Sequence, residues 1–448
     1  MKTSLTRETL SKVPARLAKI ARRARLRTEI TEGKRQPVHT VYGGAHLFRA
    51  DTAQRLGKRA LHALEEFAPD ASSLAKAIGL ADKRAEIIYR RIVEKLRREP
   101  VEDLRLDFED GYGNRPGAEE DGHAESSAME VARGAAEGTL PPYIGIRIKP
   151  LNTELHARSI RTLDIFVTTL ARSLKGKLPA NFVVTLPKIT DNDQIHILVE
   201  IFKKLESKLR LPARSLELEL MVETTESILN SKGEAALPEM IAAADGRCRG
   251  AHFGTYDYTA ARGITAAHQH MTHPACDFAR EMMQVSLAGT GLWLSDGATN
   301  ILPVPIHRAH PGATLSAQQT QENRAAIHRA WKLHYDHIQH SLVNAFYQGW
   351  DLHPSQLVTR YAAVYEFFLS GLDAASERLR NFIAKAAQAT LVGEVFDDAA
   401  TGQGLLNFFL KAIHAGALTE NEAQERTGLT PDELRSASFV KILESRKR

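Results

Sequence analysis

The run LELELMVETTES (216–227) is followed, after a helical spacer, by GAHFGTYDY (250–258). Each apolar run ends in a single acid, Glu223 in the first and Asp257 in the second. In α/β proteins ligands bind at the carboxyl ends of parallel strands, so these two side chains converge if the strands are neighbours. Two carboxylates with room for water and substrate oxygens suit a hard divalent cation such as Mg²⁺. The alternative is that both are solvated acids at the ends of buried strands.

Apolar runs alternate with amphipathic helical stretches from residue 37 onward, which indicates parallel strands joined by crossover helices. Eight such runs predict an α/β fold, a (β/α)₈ TIM barrel with its chemistry on the loops that follow the strands. An open doubly wound sheet is the competing architecture. It usually shows a glycine-rich phosphate turn after the first strand, for which Tyr42–Gly43–Gly44 is only a weak substitute. The predicted strands are 38–47, 104–109, 143–148, 182–186, 216–222, 251–254, 291–295 and 348–352.

The segments that flank the predicted barrel (37–372) differ from it in charge and pattern. Residues 1–36 hold eleven Lys/Arg against three Glu, whereas the whole chain has a formal charge of +5. Apolar residues recur there at roughly helical intervals, which predicts a basic helical N-terminal arm. Nucleic acid, anionic lipid and a neighbouring subunit are candidate partners for it. A solvated helix on the protein's own acidic surface is the simpler interpretation.

Residues 373–448 are predicted to form a C-terminal helical extension. Two capping boxes, at 419–422 and 430–433, begin short helices that Gly428 separates. This helix–turn–helix outline makes DNA binding one hypothesis. The second helix, however, begins with Asp432 and Glu433, where a helix that contacts phosphate needs donors. Packing or oligomerisation is therefore the favoured role.

Composition excludes several classes of protein. The chain of 448 residues has no run of about 18 apolar residues and no secretory apolar core near its N-terminus. Its two cysteines, Cys248 and Cys276, are too few for a disulfide framework and lack metal-ligand spacing. These features predict a soluble cytoplasmic protein without a membrane partner.

Histidines cluster in two places. In the predicted helix 318–346, apolar residues at spacings of three and four form a core-facing stripe. Four histidines fall largely off this stripe, so we predict surface residues rather than metal ligands. Three more follow Asp257 in a loop and are candidates for substrate contacts. The helical histidines are His328, His334, His337 and His340, and the loop histidines are His268, His270 and His273.

Charged residues follow nearly every predicted strand. An acid pair that binds a metal beside an arginine is suited to a 2-oxo acid, because the cation polarises the keto group and the guanidinium stabilises the developing enolate or alkoxide. Each charge alone is also explained by a polar barrel rim, so their joint occurrence carries the prediction. The set comprises Asp107, Glu109, Asp110, Arg147, Lys149, Lys188, Glu223, Asp257, Asp296 and His353.

The order of six segments closely resembles the citrate lyase beta-chain family. That family belongs to the superfamily that also contains malate synthases and metal-dependent 2-oxo-acid aldolases. The resemblance covers roughly residues 38–370. It implies a phosphoenolpyruvate/pyruvate-type TIM barrel with carbon–carbon lyase or aldolase activity, of which this chain is a divergent member. The segments are LDFED (106–110), GIRI (145–148), LPKI (186–189), MVETTES (221–227), HFGTYDYT (252–259) and GWDLHPSQLVTRY (349–361).

The resemblance also implies roles for individual residues. Glu223 and Asp257 match the Mg²⁺ ligands of the family, with Mn²⁺ as an alternative ion. Arg147 matches the arginine that holds and polarises the oxo-acid or enolate oxygen. Lys188 matches a lysine after the fourth strand that contacts the metal ligands and does not itself bind the metal.

Further residues are implied at the edge of the site. Asp107 and Glu109 match an acidic motif that orients water or substrate. Family members commonly complete the site with an aspartate from the C-terminal extension, often donated by a neighbouring subunit, and Asp397 or Asp398 is the counterpart here. Related barrels often assemble as trimers or hexamers, so a homo-oligomer is expected.

The chain departs from the family pattern after the third and sixth strands. It has Ile148–Lys149–Pro150 where the family usually shows an asparagine, and Thr255–Tyr258 where the family shows a Glu-Asp-Leu-like sequence. We expect Tyr256 and Tyr258 to narrow the pocket, and the acid-rich segment 111–142 to form a lid. These departures leave the use of an acyl-CoA partner open. The predicted substrate contacts are Arg147, Thr255, Tyr256 and His353.

Three functional hypotheses follow. The leading one is a Mg²⁺-dependent carbon–carbon lyase or aldolase, or the reverse condensation, acting on a small 2-oxo acid or its aldol adduct. The second uses the same metal and enolate chemistry for acyl-thioester hydrolysis or phosphoenolpyruvate-type phosphoryl transfer. The third is a non-catalytic barrel that binds nucleic acid through its basic arm or C-terminal helix pair. Salt-sensitive binding of a duplex would favour this hypothesis.

Overall fold

The chain forms a closed barrel of eight parallel strands with helices between them. A computed structural model describes residues 15, 35–310, 312–384, 390–392, 395–397, 399–436 and 438–446. Each strand pairs with the next, and β8 pairs with β1 to close the barrel. The predicted (β/α)₈ barrel is thus confirmed, and the open sheet was the wrong alternative. The strands are β1 (His39–Gly44), β2 (Asp103–Asp107), β3 (Tyr143–Arg147), β4 (Phe182–Leu186), β5 (Glu217–Val222), β6 (Cys248–Phe253), β7 (Trp293–Ala298) and β8 (Gln348–Asp351).

Amphipathic sequences form the helices around the barrel. In α5, Leu163, Phe166, Val167 and Leu170 recur at helical spacing and are all fully buried. The helices that precede β8 are α1 (Thr52–Phe67), α2 (Ala71–Ile78), α3 (Asp82–Arg98), α4 (Gly117–Glu137), α5 (His156–Ser173), α6 (Asn192–Leu209), α7 (Leu237–Ala243), α8 (Thr255–Ala261), α9 (Pro274–Leu287) and α10 (Ala317–Val343). Those that follow it are α11 (Gln356–Ala384), α12 (Ala399–His414), α13 (Glu420–Thr427), α14 (Pro431–Arg435) and α15 (Phe439–Arg446).

The strands are buried on both faces, as is usual for parallel sheets. Every residue of β2, β3 and β4 is buried. Part of the barrel interior is nevertheless polar, because Arg105 donates to Glu219 over 2.7 Å and to the Thr185 hydroxyl over 3.2 Å. These groups hydrogen-bond to one another and therefore belong to the folded core.

The segment 111–142 is not a lid in the structure. Its residues 117–137 form α4, the crossover helix between β2 and β3, which packs against α5. Glu120 of α4 is buried, and it contacts Lys149 over 3.0 Å and Thr162 over 2.6 Å. The expectation of a lid was wrong because the acids of this segment include a buried partner for the basic residues of its neighbours.

Helix α10 buries two of the histidines that we predicted on the surface. The ring nitrogens of His334 lie 2.7 Å from the Thr359 hydroxyl and 3.1 Å from Asp351, and His337 lies 2.8 Å from the Thr299 hydroxyl. The prediction failed because α10 packs against α11 as well as the barrel, so its buried surface is wider than the apolar stripe. His328 and His340 are half-buried.

The helices after the barrel continue its hydrophobic core. Leu406 and Phe409 of α12, Leu429 and Leu434 are buried in the same cluster as the barrel residues. Both predicted capping boxes are present, and Gly428 ends α13 in the left-handed conformation. The predicted boundary at 372/373 falls inside the continuous helix α11.

The predicted basic arm lies almost entirely outside the described residues, which begin with residue 15 and then residue 35. Within the described part of the chain, no helix combines the length and apolar character needed to cross a membrane.

Candidate active site

A buried arginine, fixed by an aspartate, lies at the carboxyl-terminal face of the barrel. Arg147 ends β3, and its Nε and Nη2 donate to the two carboxylate oxygens of Asp107 over 2.7 and 2.5 Å. The fork forms because these residues pair in register at the ends of β2 and β3. The backbone N–H groups of Glu109 and Gly111 also donate to Asp107. Burial acts to raise the pKa of Asp107, but Arg147 outweighs it and the pKa is lowered.

Two aromatic rings hold the guanidinium of Arg147 in place. Its Cζ atom lies 5.0 Å from the ring centroid of Tyr42 and 5.3 Å from that of Trp350. The Tyr42 hydroxyl in turn lies 3.0 Å from Nδ1 of His252, which fixes the tyrosine ring. Sequence reasoning missed this role of Tyr42 and Trp350. The available signal was an aromatic residue near the ends of both β1 and β8, the two strands that close the barrel.

Four carboxylates converge on the ammonium group of Lys188. Its Nζ lies 3.0 Å from Asp257, 3.2 Å from Glu109, 3.7 Å from Asp110 and 3.8 Å from Glu223. The two acids of the β2 end, the lysine after β4 and the acids that follow β5 and β6 therefore meet above the barrel. The structure brings together the central residues that we predicted for the site.

The local backbone explains how Lys188 and Glu223 come so close. The φ angle of Lys188 is +52°, an uncommon conformation for a residue other than glycine, and its N–H donates to Glu223 over 2.8 Å. Gly254 follows β6, and a Cβ at that position would lie 2.6 Å from Oε2 of Glu223. Glycine is therefore needed at 254 so that the backbone can approach the carboxylate.

Negative charge exceeds positive charge in this cluster. Burial raises the pKa of Glu109, and it also raises that of Glu223. In the described chain, both carboxylate oxygens of Glu109 and Nη1 of Arg147 are buried without a hydrogen bond of ordinary geometry. The ion pairs of the cluster set Arg147 and Lys188 against five carboxylates, those of Asp107, Glu109, Asp110, Glu223 and Asp257.

The donor set fits a hard divalent cation. The carboxylates of Glu223 and Asp257 both lie within 4 Å of one point, the Nζ atom of Lys188. Among the described residues, no group of three or more His, Cys, Asp or Glu side chains is arranged to hold a metal ion. Mg²⁺ is commonly bound through one or two carboxylates together with water and substrate oxygens. A cation held by this pair would need water and substrate oxygens as further ligands, and the metal site stays a prediction.

A cavity of about 300 Å³ opens beside the end of β1. Its walls are mainly apolar, whereas Arg55 and Arg59 contribute positive charge from one face of α1. Burial lowers the pKa of His353 in the wall, and Arg59 lowers it further. Sequence reasoning missed the two arginines, although their four-residue spacing on the first helix was visible. The apolar lining includes Val41, Leu47, Phe48, Leu56, Leu104, Leu352 and Leu357.

The hydroxyl groups after β6 are engaged by the protein itself. Thr255 is buried and donates to Sδ of Met271 over 3.0 Å. The Tyr256 hydroxyl donates to the carbonyl oxygen of Ala298 over 2.8 Å. Tyr258 is only 2% exposed and belongs to the hydrophobic core. The expectation that Tyr258 narrows the pocket was therefore wrong, because its ring packs into the core.

Other predicted site residues lie apart from the cluster or outside the described chain. Asp397 ends β10 (Val395–Asp397), which pairs with β9 (Thr390–Val392). Asp398 lies outside the described residues, so the closing aspartate stays a prediction. His268 and His270 are exposed in their loop. His273 caps α9, where its ring accepts a backbone N–H.

The fold and the strand-end cluster define a class, the (β/α)₈ barrels with an acidic, arginine-containing site at the carboxyl-terminal face. A family model described as "Domain of unknown function (DUF6986)" matches residues 18–442, and the chain belongs to this family. None of the curated protein sequences matches the chain significantly.

Solved structures with a similar fold include a citrate lyase and a malate synthase. A citrate lyase from Burkholderia xenovorans shares 15% identity with a TM-score of 0.54, over 90% of this chain and 96% of that one. A magnesium/glyoxylate complex of Haloferax volcanii malate synthase shares 15% identity with a TM-score of 0.47, over 90% and 97%. A pyruvate/acetyl-CoA complex of the same enzyme shares 16% identity with a TM-score of 0.43, over 80% and 94%. At such identity, the likeness to the citrate lyase shows the fold.

Proposed function

We propose that this protein is a Mg²⁺-dependent enzyme that forms or breaks a carbon–carbon bond in a small 2-oxo acid or its aldol adduct. The observation that carries the proposal is the excess of carboxylates around Arg147 and Lys188, where Asp107, Glu109 and Glu223 are buried and Asp110 and Asp257 are partly exposed. A site of this composition is completed by a cation and an anionic substrate. The coarser likeness of the whole barrel to a citrate lyase is consistent with it.

Glu223 and Asp257 would hold the divalent cation. When bound, the cation acts as a Lewis acid on the keto and carboxylate oxygens of the substrate. Lys188 contacts both carboxylates, and its amide N–H fixes the orientation of Glu223. Mn²⁺ should substitute for Mg²⁺, because it also favours oxygen ligands.

Arg147 would stabilise the negative oxygen of the enolate. Its Nε and Nη2 are used by Asp107, whereas Nη1 lacks an ordinary hydrogen bond and lies 2.9 Å from Glu109. The donor is buried and fixed before substrate arrives, so it does not have to reorganise during the reaction. This arrangement favours the charge of the transition state over that of the neutral ketone.

Glu109 is the candidate for proton transfer. Its carboxylate lies 2.9 Å from Nη1 of Arg147 and 3.2 Å from Nζ of Lys188, and burial raises its pKa above the ordinary value, which favours a group that exchanges protons. In the cleavage direction it would take the proton from the substrate hydroxyl as the carbon–carbon bond breaks. The electron pair of that bond then passes into the enolate that Arg147 stabilises.

The cavity beside β1 is the proposed entrance for a second substrate. Its apolar walls suit an acyl chain or a thioester arm, and Arg55 and Arg59 suit anionic groups. An acyl-CoA partner fits this combination of apolar length and negative charge. We therefore include acyl-CoA condensation in the proposal.

The test is a product assay on the purified full chain with Mg²⁺. Citramalate, 4-hydroxy-2-oxo acids and acyl-CoA adducts are supplied, and release of pyruvate or glyoxylate is followed beside release of free thiol and phosphate. We expect a 2-oxo acid as product, with turnover lost on chelation and restored by Mg²⁺. Asp257→Asn should lose turnover, whereas Asp193→Asn, an exposed acid of α6, should retain it. Phosphate or thiol release without a 2-oxo acid, or full turnover after chelation, would contradict the proposal.

A further inference from the structure

The ammonium group of Lys188 contacts both carboxylates that would hold the proposed cation, those of Glu223 and Asp257. Its Nζ atom is within 4 Å of both carboxylates, and within 4 Å of Glu109 and Asp110 on the other side. In the described chain this buried nitrogen has no hydrogen bond of ordinary geometry. Its contacts are therefore with the charge of the cluster as a whole rather than with one partner.

The backbone and the side chain of Lys188 are held to different degrees. The amide is fixed at the end of β4 by its hydrogen bond to Glu223. The side chain is 32% exposed, whereas the side chain of Arg147 in the same cluster is 1% exposed. The nitrogen itself is buried, but the head group of Lys188 is not fixed by paired hydrogen bonds as the guanidinium of Arg147 is by Asp107.

We infer that Lys188 is an internal counter-cation, which neutralises Glu223 and Asp257 in the metal-free protein and is displaced when a divalent cation binds them. The inference rests on the metal pair of the proposed function. An ammonium group and a divalent cation that share the same carboxylate oxygens repel each other at these distances, so both cannot keep their places. Glu109 and Asp110 offer Lys188 a second position, because Nζ already contacts both.

A counter-cation at Lys188 would affect both the repulsion between the carboxylates and their affinity for a metal ion. Without a cation, the carboxylates of Glu109, Asp110, Glu223 and Asp257 repel one another, because all four lie within 4 Å of one nitrogen atom. Lys188 relieves that repulsion and keeps the ligands in place. The cost is a weaker apparent affinity for the metal, because the incoming ion must compete with a tethered charge.

The test compares Mn²⁺ binding to the metal-free full chain of the wild type, Lys188→Gln and Lys149→Gln, by calorimetry and by the electron paramagnetic resonance of free Mn²⁺. Lys149 follows β3 at the same face of the barrel. Its Nζ atom contacts the carbonyl oxygen of Phe108 and the carboxylate of Glu120 instead of Glu223 and Asp257. We expect Lys188→Gln to bind Mn²⁺ at least tenfold more tightly and Lys149→Gln to stay within about twofold. Unchanged or weaker binding by Lys188→Gln would overturn the inference.

A second measurement uses the wild type alone, so it does not depend on the folding of a variant. Acetylation of lysines by a water-soluble ester is followed by mass spectrometry with and without Mn²⁺. Displacement predicts that Lys188 reacts severalfold faster when Mn²⁺ is bound, while Lys149 does not change. Equal or slower reaction of Lys188 with Mn²⁺ bound would refute displacement.

The outcomes separate this inference from the proposed function. If the wild type binds no Mn²⁺ but Lys188→Gln does, the counter-cation role of Lys188 is supported and the proposed metal-dependent function is wrong. If both bind equally, the function stands and the counter-cation fails. If neither binds, both are wrong.

Discussion

Glu102 and Glu223 are both buried glutamates of the barrel, but their surroundings differ. Glu102 precedes β2 at the amino-terminal end, where it contacts Lys95 over 2.6 Å, Arg35 over 2.5 Å and the Val38 N–H over 2.8 Å. Burial acts to raise its pKa, but these cations outweigh it and the pKa is lowered. Glu223, at the opposite end, shares one lysine with three other acids, and its pKa is raised.

The same contrast extends beyond these two residues. Asp351 contacts Arg360 over 2.8 Å, His334 over 3.1 Å and His39 over 3.3 Å, and its pKa is lowered despite burial. Glu109 at the carboxyl-terminal end has the opposite shift. The difference teaches that burial alone does not mark a functional acid. In our proposal, acids such as Glu102 that cations neutralise stabilise the fold, whereas the acids that share Lys188 bind a ligand.

The largest expected effect comes from Glu223→Gln. Turnover should fall by about 10³-fold, as for loss of a group that stabilises developing charge. The midpoint of thermal unfolding of the metal-free variant should not fall, because the substitution removes a repelling charge. Glu226→Gln, at an exposed acid three residues away, is the matched control and should change neither quantity. If the Glu223→Gln variant were destabilised but fully active, Glu223 would be a structural acid like Glu102, which would contradict the proposed difference between them.

Glu102→Gln should show the reverse pattern. It leaves Lys95 and Arg35 without their buried partner, so we expect the free energy of unfolding to fall by about 3–5 kcal/mol. Turnover per folded molecule should stay within about twofold. Glu99→Gln is the control, because Glu99 contacts Arg35 but is partly exposed, and it should cost less than about 1 kcal/mol. Urea unfolding measures both, and equal losses would mean that burial of Glu102 is unimportant.

Low pH should destabilise the fold around the buried residue His39. Burial lowers the pKa of His39 to about 4, below its ordinary value of 6.5 in the unfolded chain. The unfolded chain therefore binds the proton more strongly, so the stability from neutral His39 is complete above pH 6.5 and is lost as the pH falls towards 4. We expect a loss of roughly 1–3 kcal/mol across this window. Urea unfolding of the wild type and His39→Gln tests it, and identical pH slopes would exclude His39 as the cause.

The smallest effect concerns the rings that hold Arg147. Tyr42→Leu removes one aromatic face, worth about 0.5–2 kcal/mol, and should lower turnover by roughly 3- to 30-fold. Tyr42→Phe keeps the ring but loses the contact with His252, so its turnover should lie closer to that of the wild type. Steady-state kinetics of the two variants decide this. Equal turnover in Tyr42→Leu and the wild type would show that Asp107 alone positions the guanidinium.

Much of the fold could be predicted from sequence because strands and helices of a parallel barrel carry different periodicities. The spacer between β5 and β6 was predicted to be helical, but the α-helix there covers only Leu237–Ala243. Hydrogen bonds between Thr224 and Ser227 instead form a turn after β5. Local side-chain bonds of this kind compete with the helix and leave no mark on hydrophobic periodicity.

The candidate site was predictable to a different extent. Strand-end acids and Arg147 stand out because their positions follow from the strand pattern. The central place of Lys188 and the balance of charge do not, because both depend on distances between residues far apart in the chain. For the same reason, the cations that neutralise Glu102 could not be recognised from sequence.

The most direct test is a crystal structure of the full chain with Mn²⁺ and oxalate, an analogue of a 2-oxo acid enolate. The account predicts an anomalous peak bound by Glu223 and Asp257, with oxalate on the metal and within hydrogen-bond distance of Nη1 of Arg147. A peak elsewhere, or oxalate bound without a metal beside Glu223, would contradict the claim that the acids that share Lys188 form a cation site.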